Sequence, residues 1–239
     1  MRKRVIFSWS GGKDSSYCLN KVLNDDQYEV VYLLTTLNSE FKRISMHGVK
    51  EELLDAQSES IGIPQLKVWV GQGTNEEYEK QMSEMLLKAK IEGIETVLFG
   101  DIFLEDLREY RESNMAKVGM KAEFPIWNID TKFLIKDFIE KGFKTVTCCV
   151  NDAFFNDAWV GKEIDENFIN ELPENVDPCG ENGEYHTYCY EGPIFKNPIK
   201  IEIKEKIYRP LEIKVTDSVC SSESEIKTKG FWFSELDLA

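Results

Sequence analysis

Five short apolar runs without polar alternation punctuate the first half of the chain: Val5-Ile6-Phe7, Val30 to Leu34, Val68-Trp69-Val70, Thr96 to Phe99 and Phe124 to Trp127. Runs of this kind suit strands covered on both faces, as in a parallel sheet. Helical patterns lie between them. Thr74 with Glu77 three residues later reads as a capping box, followed by a stripe of Tyr78, Met82, Met85, Leu86 and Ala89 at spacings of three and four. Further helices are expected after Asp14, from Val49 to Ser60 with Gly62 and Pro64 as the stop, and from about Phe103. The strict alternation of strand and helix predicts right-handed crossovers and helices on both sheet faces, an α/β, Rossmann-like parallel sheet.

Beyond residue 130 the texture changes. A helix through Phe133 to Ile139 and a strand from Thr145 to Val150 lead into an acidic, turn-rich stretch, Asn151 to Glu191, and then hairpin-like segments at Pro193–Ile203 and Ile207–Val215. The expected division is an α/β domain over 1–130 and a smaller α+β domain over 131–239. The net charge of −14 opposes a nucleic-acid partner, which needs a basic footprint. No apolar run reaches the length of a membrane helix, and the start is too short for a signal-peptide core, so cytoplasm is the expected location. Six cysteines with no C-x-x-C pair are expected to be reduced thiols. Cys179, His186 and Cys189 match no standard zinc spacing.

Candidate chemistry concentrates first at Ser8-Trp9-Ser10-Gly11-Gly12-Lys13-Asp14-Ser15-Ser16, between the first strand and its helix. Two glycines allow close backbone approach, and a helix N-terminus offers free N–H groups, which together make an anion nest. Ser10 and Ser15 add hydroxyls, Lys13 charge, and Asp14 a carboxylate able to hold magnesium against phosphate. The loop is no Walker A motif, since Phe7 and Asp14 stand where glycine and Ser/Thr are required, and Gly71-Gln72-Gly73 lacks the third glycine of a dinucleotide loop. At the carboxyl ends of the strands, where ligands of open α/β sheets bind, lie Ser8, Ser10, Thr35, Thr36, Gly100 and Asp101. Gly100-Asp101 reads equally as a capping turn, Arg108 and Arg111 equally as surface pairs with Glu105 and Glu112, and His47 as a loop histidine near the nucleotide.

The S-G-G-x-D-S string, Ser10 to Ser15, resembles the PP-loop of the ATP pyrophosphatases. The segment Cys179-Gly-Glu-Asn-Gly-Glu-Tyr-His-Thr187, followed by Glu191 to Phe195, resembles the C-terminal signature of the diphthine-ammonia ligase family within them, and Gly100-Asp101-Ile102 and Met46-His47 resemble its middle motifs. The resemblance implies ATP and Mg2+ as cofactors, with ATP held by Ser8, Ser10, Gly11, Gly12, Lys13, Asp14, Ser15, Thr35, His47, Gly100 and Asp101, and the metal by Asp14. It implies adenylation of a carboxylate with release of pyrophosphate, then amidation by ammonia, with Asp14, Glu181, Glu184 and His186 as the catalytic set. Expected partners are ATP, ammonia, a carboxylate acceptor with diphthine on elongation factor 2 as its first candidate, and a second copy as a homodimer; neither nucleic acid nor membrane is expected. No glutaminase domain is expected upstream of Val5, so ammonia is expected free or delivered. A different acceptor, or a regulator that binds ATP without turning it over, are the competing readings. The stretch from Asn151 to Glu191 holds eleven acids against one lysine, and its aromatics, Phe154, Phe155, Trp159, Tyr185, Tyr188 and Tyr190, suit a cationic acceptor through cation–π contact, with a solvated acidic face as the equal alternative.

Overall fold

The structure is a computed structural model that describes residues 2–44, 47–71, 75–211 and 228–239. Strands β1 (Lys3–Ser8), β2 (Tyr28–Asn38), β3 (Gln65–Val70), β4 (Thr96–Leu98) and β5 (Lys121–Glu123) form one parallel sheet in the order β3-β2-β1-β4-β5. Strand alternation sends Val5 and Phe7 to one face and Ile6 to the other. On the first face they meet α1 (Lys13–Leu23), α2 (Glu51–Ile61) and α5 (Thr131–Glu140); on the second, Ile6 joins α3 (Asn75–Ile91) and α4 (Glu105–Lys117). The α/β fold with helices on both faces is therefore present. Helix α2 stops where expected, with Gly62 left-handed at φ 83°. The Thr74–Glu77 capping box lies outside the described residues, as does the side chain of Tyr78; Leu86 and Ala89 of the same stripe are buried.

One strand is displaced from its expected position. Phe124 to Trp127 forms a turn, closed by Trp127 N–H donating to the Phe124 carbonyl at 3.1 Å, and the fifth strand is the more polar Lys121–Glu123. Pro125 cannot donate to a ladder, and an edge strand needs no apolar face on its open side. The apolar run still buries Ile126 completely, as a turn beneath the sheet.

The second unit is an antiparallel sheet of β6 (Lys144–Asn151), β7 (Tyr185–Glu191), β8 (Ile201–Pro210) and β9 (Gly230–Leu238), in the order β7-β6-β9-β8. Between β6 and β7 lie a 3-10 turn, Asp157–Trp159, and α6 (Glu166–Glu171). The two expected hairpin segments merge. Residues 193–200 carry no strand, and Lys204-Glu205-Lys206, which reads as a turn, is a register irregularity inside one continuous β8. Beyond Leu211 the second segment leaves the described residues. Strand β7 lies at the sheet's edge beside α1, and this contact builds the site.

Candidate active site

The loop between β1 and α1 is fixed from beneath and from the side. Gly11 has φ 77°, and a Cβ there would stand 2.6 Å from Gln57 Oε1, so both conformation and space require glycine. Gln57, fully buried on α2, accepts from Trp9 Nε1 at 3.0 Å and donates to the carbonyls of Gly11 at 2.9 Å and Cys189 at 2.6 Å. From β7, Cys189 N–H donates to the Gly11 carbonyl at 2.8 Å. Gly12, at the helix start, has no side chain to cap it; instead Thr187 Oγ1 accepts the Lys13 N–H at 2.9 Å. The cap therefore comes from the other sheet, 174 residues away. Ser10 and Ser15 hydroxyls bond each other at 3.1 Å, and Ser15 also donates to the Gly12 carbonyl. Gly100 is small because β4 ends against α1, where a Cβ would lie 3.3 Å from Ser15 Cα.

Charge is arranged tightly around this loop. The Lys13 side chain, 2% exposed, turns toward the segment after α6: its ammonium donates to both Asp14 oxygens at 2.7 and 2.9 Å and to the Cys179 carbonyl, and stands 5.2 Å from the Tyr185 ring centroid. Burial pulls the Lys13 ammonium down, but Asp14 and the groups around it leave it above its usual range. Burial likewise pushes the Asp14 carboxyl up, opposed by Lys13. Glu181 accepts from Ile102 N–H at 2.7 Å, and burial followed by the charge of Asp14 pushes its carboxyl up to about 7. Asp101 holds the Arg111 guanidinium in a fork at 2.6 and 3.1 Å. His47 and His186 stack with ring centroids 4.5 Å apart. Burial, and then each other or Lys13, hold both imidazoles neutral, His186 falling to about 4.

Two adjoining cavities result. A polar one of about 290 Å3 is lined by Ser8, Ser10, Gly12, Lys13, Asp14, Ser15, His47, Gly100, Asp101, Glu181 and His186, bringing together most of the residues singled out in the sequence. A second, of about 250 Å3, is bounded by Ser8, Ser10 and Thr35 with apolar walls from Leu34, Met82, Leu86 and Met115. Two expected residues, Gly11 and Glu184, line neither cavity, and Thr35 lines the second with its hydroxyl already engaged. Gly11 lies behind the loop and lines neither cavity. Thr35 spends its hydroxyl on the Trp9 carbonyl at 2.8 Å and accepts from Gln65. Glu184 is buried, accepting from Asp177 N–H at 2.9 Å and Asn182 Nδ2 at 3.1 Å, so it shapes the loop that carries Glu181 and does not face the cavity.

The aromatic cage expected in the acidic stretch is not formed. Phe155, Tyr185 and Tyr188 are core residues; Phe155, Trp159, Phe168 and Tyr185 pack against one another, edge-to-face except for the tilted Phe155–Trp159 pair. Burial of so much aromatic surface stabilises the sheet more than open rings could. Cys179 and Cys189 engage separate carbonyls, and among the described residues no three His, Cys, Asp or Glu side chains group as for a metal. Gln57 and the capping role of Thr187 escape a linear reading, although one polar residue within the apolar Leu53, Leu54, Ile61 face of α2 is a visible clue. Arg111, read as equally superficial, lines both cavities, whereas Arg108 pairs with Glu112 on the surface.

Comparison with known proteins matches the same two units. A family model described as diphthamide synthase N-terminal domain matches residues 3–122, and one described as diphthamide synthase C-terminal domain matches residues 130–217. The chain belongs to the diphthamide synthase family. Relatives within reach of it include the diphthine–ammonia ligases of Danio rerio, 26% identical over 85% of this chain and 88% of that protein, and of Homo sapiens, 23% identical over 97% and 99%. Against the Schizosaccharomyces pombe diphthine–ammonia ligase it is 25% identical over 85% of its own length but spans 37% of that protein. Among solved structures, the U34-tRNA thiolase NcsA from Methanococcus maripaludis is similar over 58% of each chain, at 20% identity and a TM-score of 0.35.

Proposed function

We propose that this chain is an ATP-dependent amide ligase that adenylates an acceptor carboxylate and transfers it to ammonia, with residues 1–130 binding ATP and 131–239 bringing the acceptor. The observation that carries the reading is the single polar cavity in which the glycine loop and the Glu181 carboxyl face each other beside a second cavity of apolar walls. Backbone N–H groups and the helix dipole favour the charge that builds on a pyrophosphate leaving group. The apolar cavity is suited in chemistry to a purine base. The relatives' printed activity, diphthine–ammonia ligase, supports an acceptor of that class, with diphthine on elongation factor 2 as the first one to try.

Asp14 presents a carboxylate 26% exposed, with Lys13 on its other side. One carboxylate completed by phosphate oxygens and water is a donor set magnesium accepts, so Asp14 fits the metal role only in company with the nucleotide. Bound there, magnesium would neutralise phosphate charge. Glu181, whose carboxyl is pushed up to about 7, is the group placed to take a proton from the attacking nitrogen. The stacked imidazoles, held neutral, are poor bases and act as walls. No helix among the described residues is long and apolar enough to cross a membrane, and the five described cysteines are free, which supports a reducing compartment such as the cytoplasm.

Incubated with ATP, magnesium, ammonia and a diphthine-bearing acceptor, the protein is expected to release AMP and pyrophosphate in equal amounts. ADP and orthophosphate as products would overturn the reading, and binding of ATP without turnover in the presence of every acceptor tried would favour the regulator.

A further inference from the structure

Four residues line both cavities: Ser8, Ser10, Phe99 and Arg111. They mark the junction between the apolar space and the glycine loop, and Arg111 is the one cation among them. Its guanidinium is held in place twice. Asp101 grips it through Nε at 2.6 Å and Nη2 at 3.1 Å, and it stacks on the Phe99 ring at 4.6 Å from the centroid. An arginine has five N–H donors, so a fork that uses two leaves three for a ligand. Arg108, one turn away on the same helix, lines neither cavity; it is spent on Glu112 and on the rings of Phe124 and Trp127.

A ligand with a purine in the apolar cavity and its terminal phosphates on the loop must cross this junction, and the group it places there is the phosphate next to the ribose. We propose that Arg111 is a catalytic residue that binds the α-phosphate of ATP at the junction of the two cavities, with Asp101 as its positioning residue. The inference rests on the ATP-ligase reading. In the adenylation step an acceptor carboxylate oxygen forms a bond to the α-phosphorus while the bond from that phosphorus to the pyrophosphate oxygen breaks, the electron pair leaving with pyrophosphate. Negative charge on the remaining α-phosphate oxygens is what a planar fork of fixed donors stabilises. The Phe99 stack and the Asp101 fork orient the guanidinium before any ligand arrives, so it pays little ordering entropy on binding.

The test compares AMP with adenosine, which differ only in that phosphate. Calorimetry on the intact protein should show AMP binding more tightly than adenosine, and Arg111→Met should weaken AMP by about tenfold or more while leaving adenosine unchanged, the loss expected for a charge-assisted bond. Arg111→Lys keeps charge but not the fork and should fall between; Asp101→Asn should lose part of the AMP preference with the arginine intact. Thermal melting of each variant checks the fold, and pyrophosphate exchange should fall with AMP affinity in the same order. If the wild type binds AMP or ATP but the AMP-to-adenosine ratio is the same in the folded Arg111→Met and Arg111→Lys variants, Arg111 has no such role. If the wild type binds no adenine nucleotide, the ligase reading itself fails first.

Discussion

Glu181 and Glu184 stand three residues apart in one loop and do different things because their surroundings differ. Glu184 satisfies backbone and Asn182 donors within the loop, while Glu181 keeps one oxygen on Ile102 N–H and faces the cavity near Asp14. Desolvation and the Asp14 charge both favour the protonated form of Glu181, so it is neutral below about 7 and a carboxylate, hence a base, above it. With free ammonia held constant, amide formation is expected to rise with pH across that value. Glu181→Gln should flatten the profile and slow amide formation by about 10²-fold or more, leaving AMP affinity within a few-fold of the wild type. A rate-versus-pH series on both proteins checks this; an unchanged profile in the variant would assign the ionisation elsewhere. The two glutamates look alike in a linear chain, since each follows a glycine in the C-G-E-N-G-E string. Only the hydrogen bonds separate them.

At the level of elements, α1 begins on two glycines and so cannot cap itself, and β7 supplies what is missing. Thr187 accepts the first helical N–H, Cys189 reaches the Gly11 carbonyl, and Gln57 of α2 bridges both. Loss of a capping oxygen costs about 1 kcal/mol. Thr187→Val, which keeps the shape and removes the acceptor, is therefore expected to destabilise the protein by about that amount and to raise the KM for ATP, with Thr187→Ser restoring both. Gln57→Leu should cost more, about 2–3 kcal/mol, because it strands the Trp9 indole N–H in the interior and takes the Gln57 donor from the carbonyls of Cys189 and Gly11, the latter keeping only the Cys189 N–H. Urea unfolding with nucleotide titration measures both quantities. A Thr187→Val protein with normal stability and normal KM would show that the helix start needs no cap from β7.

Across the whole molecule the two sheets share one core. Phe7, Leu19 and Leu53 from the parallel-sheet half belong to the same buried cluster as Val146, Tyr185 and Tyr188 from the other half. The Tyr188 hydroxyl closes the seam by donating to the Leu53 carbonyl at 2.9 Å. Unfolding is therefore expected to be one cooperative transition, with tryptophan fluorescence and far-ultraviolet circular dichroism giving coincident midpoints. Separated midpoints would mean that the halves are stable apart and that the seam contributes little. The charge of the chain belongs to this scale too: in the acidic stretch from Asn151 to Glu191, Asp157, Glu166, Glu171 and Glu174 lie on the solvated outside of packed rings, whereas Glu184 is buried and Glu181 faces the cavity.

Much of this was legible in residue order. Runs buried on both faces, Gly62 after α2 and the S-G-G-x-D-S loop are local patterns, and local patterns act through backbone dihedrals and neighbours a few residues away. They determined the alternating α/β half, the position of the glycine loop between β1 and α1, and the family resemblance. Where two weak features competed, order alone misled: Pro125 turned an apolar run away from the sheet, and a charged triplet in β8 read as a turn. What only the tertiary structure decided are relations across long separations. That Thr187 caps α1, that Gln57 holds the loop, that Arg111 rather than Arg108 stands at the junction of the cavities, and that Glu181 rather than Glu184 faces the loop all depend on which surfaces meet when two sheets bury one core. No period or spacing in the chain encodes such a meeting, because the free energy that selects it comes from area and hydrogen bonds shared between segments far apart in sequence, 174 residues for Thr187 on Lys13 and 79 for Glu181 on Ile102.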